Sequence, residues 1–252
     1  MPIMTLLKCF VRLNRQSARY LETKFPRLLR RPSHYAELLA RIVDTIRTEN
    51  PQTIFEVGGI DRPLLRKHQA YTYVGMDIED RPACYDVYDI FHIQSIEEPI
   101  SFDADMVIST TLLEHVPDNH SAIHAIYSCL TPGGVTHHYI PSKNHPYSVA
   151  LRMVGPRLQR VLIQYLRPEA EAVTGYPAFF DQCTPTQMKA LFKKAGFESI
   201  DIKAFYRATD YFAFFLPAYL ACALFENIVE RLDIKFLASG FVITGRKAAL
   251  SS

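Results

Sequence analysis

Glu56-Val57-Gly58-Gly59-Ile60-Asp61, followed by Tyr73-Val74-Gly75-Met76-Asp77, is the stretch that decides the fold. Thr53–Val57 and Tyr71–Asp77 read as two successive buried strands. The first opens into a glycine turn and the second ends on an acid, so both deliver their polar groups to one edge of a sheet. A glycine turn directly behind a buried strand lets the backbone approach a ligand, because no Cβ stands in the way. Asp77 follows at about the 20-residue distance at which an acid accepts hydrogen bonds from ribose hydroxyls. Taken alone, Gly58-Gly59 also fits an ordinary tight turn. A dinucleotide enzyme would carry G-x-G-x-x-G, whereas counting from Gly58 gives Ile60 and Pro63 at the other two positions. Glu56 ahead of the glycines suits a zwitterionic cofactor whose amino group an acid can orient.

Outward from this pair the chain alternates short apolar strands with helical segments. Ser33 begins a helix to about Arg47, with Leu38, Leu39, Ile42 and Ile46 at helical spacing, and Asn50-Pro51 ends it. The pattern predicts a third strand near Val87–Ile90, a fourth at Asp105–Thr110 and a fifth at Val135–Ile140. Helices are expected at about 62–69 and 118–130, the first with its amides pointing at a ligand. Past Pro141 the rhythm changes to a long aromatic stretch with helical character around Val149–Leu166. Thr184-Pro185-Thr186 then caps a helix ended by Gly196. Ser199–Phe205 and Gly240–Lys247 read as late strands that close the sheet at one edge. The expected fold is α/β: a Rossmann-like, doubly wound, mostly parallel seven-stranded sheet with helices on both faces and a helical cap insertion.

With 252 residues, 48% of them hydrophobic, the chain can bury one substantial core. The domain reading is a basic amphipathic segment over 1–32 and a single domain over 33–252. That domain carries a cap insertion at about 142–182 and an apolar helical segment at about 206–236. Five scattered cysteines without a C-x-x-C pair suit a reducing compartment, and a near-balanced charge gives no global pointer to nucleic acid. Residues 1–31 nonetheless hold eight Lys and Arg against Glu22 alone, with Ile3, Leu6, Leu7, Phe10 and Leu13 at helical spacing. Two readings stay open: a helix packed on the domain with a solvated basic face, or a helix lying on an anionic membrane. No secretory signal is expected, because no uninterrupted apolar core precedes a small-residue cleavage site. Tyr211–Phe225 is apolar but short for a span and contains Pro217. The location expected is cytoplasmic, with membrane association as the open alternative.

Four segments, Ile54–Asp61 (IFEVGGID), Tyr73–Ile78 (YVGMDI), Phe102–Val116 (FDADMVISTTLLEHV) and Leu130–Gly134 (LTPGG), resemble class I S-adenosylmethionine-dependent methyltransferases in their order and spacing. The branch they are most similar to includes small-molecule, quinone and bacterial polysaccharide-cluster enzymes. The resemblance implies S-adenosyl-L-methionine as cofactor, held by Glu56, Gly58, Gly59 and Asp77. It also implies an adenine-side acid at Asp89, sulfonium- or substrate-facing positions at Thr110 and Thr111, and structural or cofactor-proximal places for Glu114 and His115. Asp89 equally fits a solvated loop aspartate. Pro132-Gly133-Gly134 is expected to form the turn into the fifth strand. PSKNHPYS, LRPEAE and GYPAFFDQCTP are similar to methyltransferases of exopolysaccharide synthesis, which implies a small acceptor linked to a glycan or lipid. Tyr147, Tyr176, Phe179, Phe180, Arg152, Arg157, Arg160 and Arg167 would bind it or form a packed cap.

Methyl transfer from a sulfonium needs alignment above all, and a base only where the acceptor must lose a proton. Candidates for that base are His137, His138, Tyr139, His145, Tyr176 and Asp181. His145 is preferred, since it lies in the loop beyond a strand's carboxyl end. No metal set is expected: His120 and His124 are one helical turn apart, but no carboxylate or cysteine completes them. Cys183, just ahead of a helix, reads as structural. The function expected is methyl transfer to a small molecule. The rival is a methyltransferase-like binding or scaffold protein, in which Ile60 crowds the cofactor turn.

Overall fold

The computed structural model describes residues 2–30, 32–60, 62–166 and 176–249. Asp61 and Arg167 lie outside the described residues, as do the side chains of Arg157 and Arg160. Two compact units divide the chain. The first comprises Met1–Pro32, Ser142–Ala178 and Ala204–Ser239, and the second Ser33–Pro141, Phe179–Lys203 and Gly240–Ser252.

The second unit is built on a seven-stranded sheet. Its strands are β1 (Thr53–Val57), β2 (Thr72–Asp77), β3 (Ile90–Ile93), β4 (Ala104–Thr110), β5 (Leu130–Pro141), β6 (Ser199–Phe205) and β7 (Gly240–Arg246), in the order β3-β2-β1-β4-β5-β7-β6. Pairs from β3 to β5 are parallel, and β7 runs antiparallel to β5. β1 is central and its last four residues are buried, as expected of a strand covered on both faces. Strand alternation shows the two layers directly. On β5, His137 meets Thr45 of α3 (His34–Glu49), while His138 faces Phe192 of α7 (Pro185–Ala195).

Local chemistry sets the helix ends. Ser33 caps α3 by accepting from the Ala36 amide, and Asn50 ends it at φ 50° in the left-handed region. Thr184 caps α7, Pro185 enters its first turn, and Gly196 ends it at φ 110°. A Cβ on Gly196 would stand 2.8 Å from the Tyr127 ring of α5 (Asn119–Cys129), so this position also needs a small residue.

Three sequence expectations are corrected. Among the described residues no helix occupies 62–69; an irregular segment with one His68–Tyr71 bridge leads into β2. Only fourteen residues separate Val57 from Thr72, and the Glu56 carboxylate pins the connection at Leu64. The third strand begins at Ile90, because a one-turn helix, α4 (Cys84–Val87), takes the place where it was expected to start. Pro132-Gly133-Gly134 lies inside β5, where the register against β4 shifts.

The first unit is helical. It holds α1 (Pro2–Lys24), α2 (Pro26–Leu29), α6 (Pro146–Leu166, two helices meeting at Gly155) and α8 (Leu216–Arg231). Ala18, Leu29, Ala213, Tyr219 and Ala223 form one of its cores. Pro217 falls in the first turn of α8, where its missing N–H costs nothing. Among the described residues no helix is long and apolar enough to cross a membrane.

Candidate active site

The strand registers align a row across the carboxyl edge of the sheet. Met76 pairs with Val57, Ile108 with Glu56, Ile93 with Asp77 and Tyr139 with Thr110. Gly58, Asp77 and Thr110 are therefore brought to one level on adjacent strands. The Gly58 amide donates to the Met76 carbonyl at 2.8 Å and its φ of 76° is left-handed. A Cβ there would lie 2.7 Å from Leu112 Cδ1. Asp77 ends β2, accepts from the Glu79 amide at 3.1 Å through its side chain and from the Gln94 amide through its carbonyl.

Gly59 is needed for space. A Cβ on it would stand 2.6 Å from Glu56 Cδ and collide with the Tyr88 hydroxyl. Glu56 is fully buried; its carboxyl accepts from the Leu64 amide at 3.1 Å and from the hydroxyls of Tyr73 and Tyr88. Burial pushes this carboxyl up to about 7, against the hydrogen bonds that favour its charged form. Glu56 thus holds the post-turn loop together, whatever it does for a ligand. Ile60 is not among the residues of positive φ, so the missing glycine creates no backbone strain.

Thr111 is strained. Its φ of 50° is rare for a β-branched residue, and its amide is tied to the Tyr139 carbonyl at 3.1 Å. Such outliers concentrate where a ligand is positioned. Three residues on, Glu114 is buried in a short 3-10 turn (Leu113–His115), and its Oε2 has no hydrogen-bond partner among the described residues. Burial raises this carboxyl to about 8. The Glu114 carbonyl receives the amides of Phe179 and Phe180, which anchors the returning chain. The resemblance gave Thr111 a sulfonium- or substrate-facing place and Glu114 a structural or cofactor-proximal one; the strain at Thr111 and the burial of Glu114 are what the structure adds.

Asp89 does not join this edge. Its carboxylate accepts from the Tyr73 amide at 2.9 Å and its own amide donates to the Tyr73 carbonyl. Tyr73 lies at the start of β2, so Asp89 sits at the amino edge of the sheet, a strand's length from Asp77. The later start of β3 is the cause.

His145 belongs to the first unit, wholly buried. Its Nδ1 accepts from the Tyr147 amide at 3.2 Å and its Nε2 stands 3.2 Å from Glu226 Oε1. The ring is enclosed within the first unit, its Nδ1 engaged by the Tyr147 amide and its Nε2 facing the Glu226 carboxyl. The remaining candidates are also engaged. His137 lies between the Thr45 and Thr244 hydroxyls, and His138 between those of Ser109 and Thr136. Burial lowers these two imidazoles to about 4 and about 3. Tyr139 stacks on His34 at 3.8 Å, and Asp181 accepts from the Asn119 amide. Cys183 is buried against Asn119, and His120 and His124 lie on the outer side of α5.

A methyltransferase-domain family model matches residues 28–202. No curated protein matches the sequence. Among solved structures, the 4+2 cyclase SpnF is similar at a TM-score of 0.53 and 16% identity, over 84% of this chain and 80% of that one. Phosphoethanolamine N-methyltransferase 2 of Haemonchus contortus, in complex with phosphomonomethylethanolamine and S-adenosylhomocysteine, is similar at 0.51 and 15%, over 93% and 57%. The CurJ carbon methyltransferase is similar at 0.51 and 13%, over 93% and 71%. The chain thus spans little more than half of the nematode enzyme. A cyclase among these neighbours means that likeness at this level carries the fold and not the reaction. The family model covers well over half of the chain and agrees with the strand order and the glycine edge: the chain belongs to the methyltransferase-domain family, as a class I S-adenosylmethionine-dependent methyltransferase.

Proposed function

We propose that the chain transfers the methyl group of S-adenosylmethionine to a small acceptor linked to a glycan or a lipid. Gly58, Gly59, Asp77 and Thr110 would hold the cofactor and Glu56 would brace their turn. The single observation that carries this reading is the row of Gly58, Asp77 and Thr110 at the carboxyl edge, where ligands bind in open α/β sheets. The cofactor supplies an activated methyl, so the residues contribute alignment and exclusion of water, effects worth roughly 7–11 kcal/mol when fully realised. Ile60, in an ordinary backbone conformation, favours the enzyme over a binding-only relative.

The acceptor class rests on the resemblance of the 141–184 segments and on the first unit's surface. There α1 exposes Leu6, Phe10 and Leu13 among Lys8 and Arg12, and α8 exposes Leu220, Leu224 and Ile228 at four-residue spacing. These features suit contact with an anionic lipid surface, our second reading. Incubation with methyl-labelled S-adenosylmethionine and fractionated lipid-linked glycans tests the first: label in one fraction supports it. Cofactor binding with label in none would leave the binding-only rival. Sedimentation with anionic vesicles, reversed by salt, tests the second, and a chain that stays in the supernatant would refute it.

A further inference from the structure

His145, Cys222 and Glu226 are 77 residues or more apart between the first and the other two, yet they converge inside the first unit. One imidazole nitrogen, one sulfur and one carboxylate oxygen lie within 4.8 Å of one another, and all three residues are buried. Cys222 and Glu226 stand one turn apart on α8, so the helix presents both on one face. His145 precedes α6.

The separations are informative. His145 Nε2 is 3.2 Å from Glu226 Oε1, yet it makes no hydrogen bond there. Cys222 Sγ is 3.5 Å from the same oxygen. A tetrahedral zinc ion, with nitrogen and oxygen at about 2.0–2.1 Å and sulfur at about 2.3 Å, has N···O edges of about 3.3 Å and O···S edges of about 3.5 Å. Two of the three donor pairs already stand at those edges, and the nitrogen and the sulfur lie within 4.8 Å of each other. The Ala208 amide donates to Glu226 Oε1 at 2.6 Å, which fixes the carboxylate.

A second observation concerns the segment that carries His145. The Ser142–Ser148 segment that carries His145 holds four buried polar atoms without a hydrogen-bond partner among the described residues: Ser142 Oγ, Asn144 Nδ2, His145 Nε2 and Ser148 Oγ. Buried polar atoms are ordinarily satisfied, so such a group calls for a missing ion or water.

We propose that His145, Cys222 and Glu226 form a binding site for a zinc-class divalent ion, its fourth position taken by water or another oxygen ligand. Mixed nitrogen, sulfur and oxygen donors select such an ion over magnesium or calcium. Loading releases the Cys222 thiol proton. It also places the His145 ring proton on Nδ1, so the 3.2 Å contact with the Tyr147 amide gives way. The ion ties α8 to the segment leaving β5, and the site stands independently of the methyl-transfer reading.

Cobalt(II) titration of the full chain, stripped with a chelator, tests the site. The expected result is saturation at one equivalent, with visible bands of four-coordinate cobalt and a near-ultraviolet thiolate-to-cobalt band. Zinc should then displace the cobalt and raise the melting temperature. Cys222→Ala should abolish the thiolate band, and Cys9→Ala, at an exposed cysteine, should keep it. Absence of the band, or its survival in Cys222→Ala, would overturn the proposal. Should Cys222→Ala fail to fold, X-ray absorption on the zinc-loaded parent decides. One sulfur with nitrogen and oxygen neighbours upholds the site, and a shell without sulfur removes it.

Discussion

At the amino edge of the sheet, Asp89 and Asp105 engage their carboxylates with backbone amides. Asp89 accepts from Tyr73, and Asp105 accepts from Gln52 and Thr53 and from the Thr131 hydroxyl. At the carboxyl edge the picture reverses. There the backbone is bent into left-handed turns at Gly58 and Thr111, and the buried Glu114 has an oxygen without a partner among the described residues. The acids of the amino edge staple neighbouring strands. The carboxyl edge carries strain and unmatched polarity, which a bound ligand can compensate. An acid beside a strand is therefore no guide to function until its edge is known.

The largest effect expected in testing this contrast is at Gly59. Gly59→Ala drives a methyl group into Glu56 and Tyr88, and should cost about 3 kcal/mol in denaturant unfolding. Unchanged stability would mean that the turn is not packed as described. Glu114→Gln comes next. Burial lifts the Glu114 carboxyl from 4.5 to about 8. The folded chain then keeps a proton that the unfolded chain gives up, so this contribution to stability is complete below pH 4.5 and is lost as pH rises through about 8. The variant should gain on the parent by up to about 4 kcal/mol between about pH 5 and about pH 8. Parallel stability profiles would place the carboxyl in water.

The two edges separate most cleanly in a pair of substitutions. Asp77→Asn should weaken S-adenosylmethionine binding roughly ten- to hundredfold with little loss of stability, as removal of charged hydrogen bonds implies. Asp89→Asn should leave affinity unchanged and cost about 1 kcal/mol of stability. The opposite pattern would break the comparison. The smallest effect is expected at Thr111. Thr111→Gly relieves a left-handed β-branched residue but loosens the unfolded chain, for a net gain of about 0.5 kcal/mol.

Much of this architecture was readable in the sequence where local chemistry decides it. Thr53–Val57 and Ser199–Phe205 have their expected bounds, and the caps Ser33, Thr184 and Gly196 act as caps. Three features were not readable. The helix expected after the glycine turn is absent because Glu56, Tyr73 and Tyr88 hold that connection through long-range side-chain contacts, which periodicity does not report. Asp89, which the resemblance placed on the adenine side with a loop aspartate as the equal alternative, lies at the amino edge because the one-turn helix at Cys84–Val87 delays β3, and a shift of a few residues moves an acid from one end of a strand to the other. His145 looked like a base because it follows a strand's carboxyl end. Its partners Cys222 and Glu226 come from a helix that reads as plain apolar sequence.

The carboxyl edge, with Gly58, Asp77 and Thr110 at one level, is the proposed S-adenosylmethionine site. Isothermal titration of the full chain with S-adenosylmethionine and with S-adenosylhomocysteine tests it most directly. Saturable heat at one site is expected for both ligands, weakened by Asp77→Asn and untouched by Asp89→Asn. No heat with either ligand, from a chain that melts cooperatively, would contradict it.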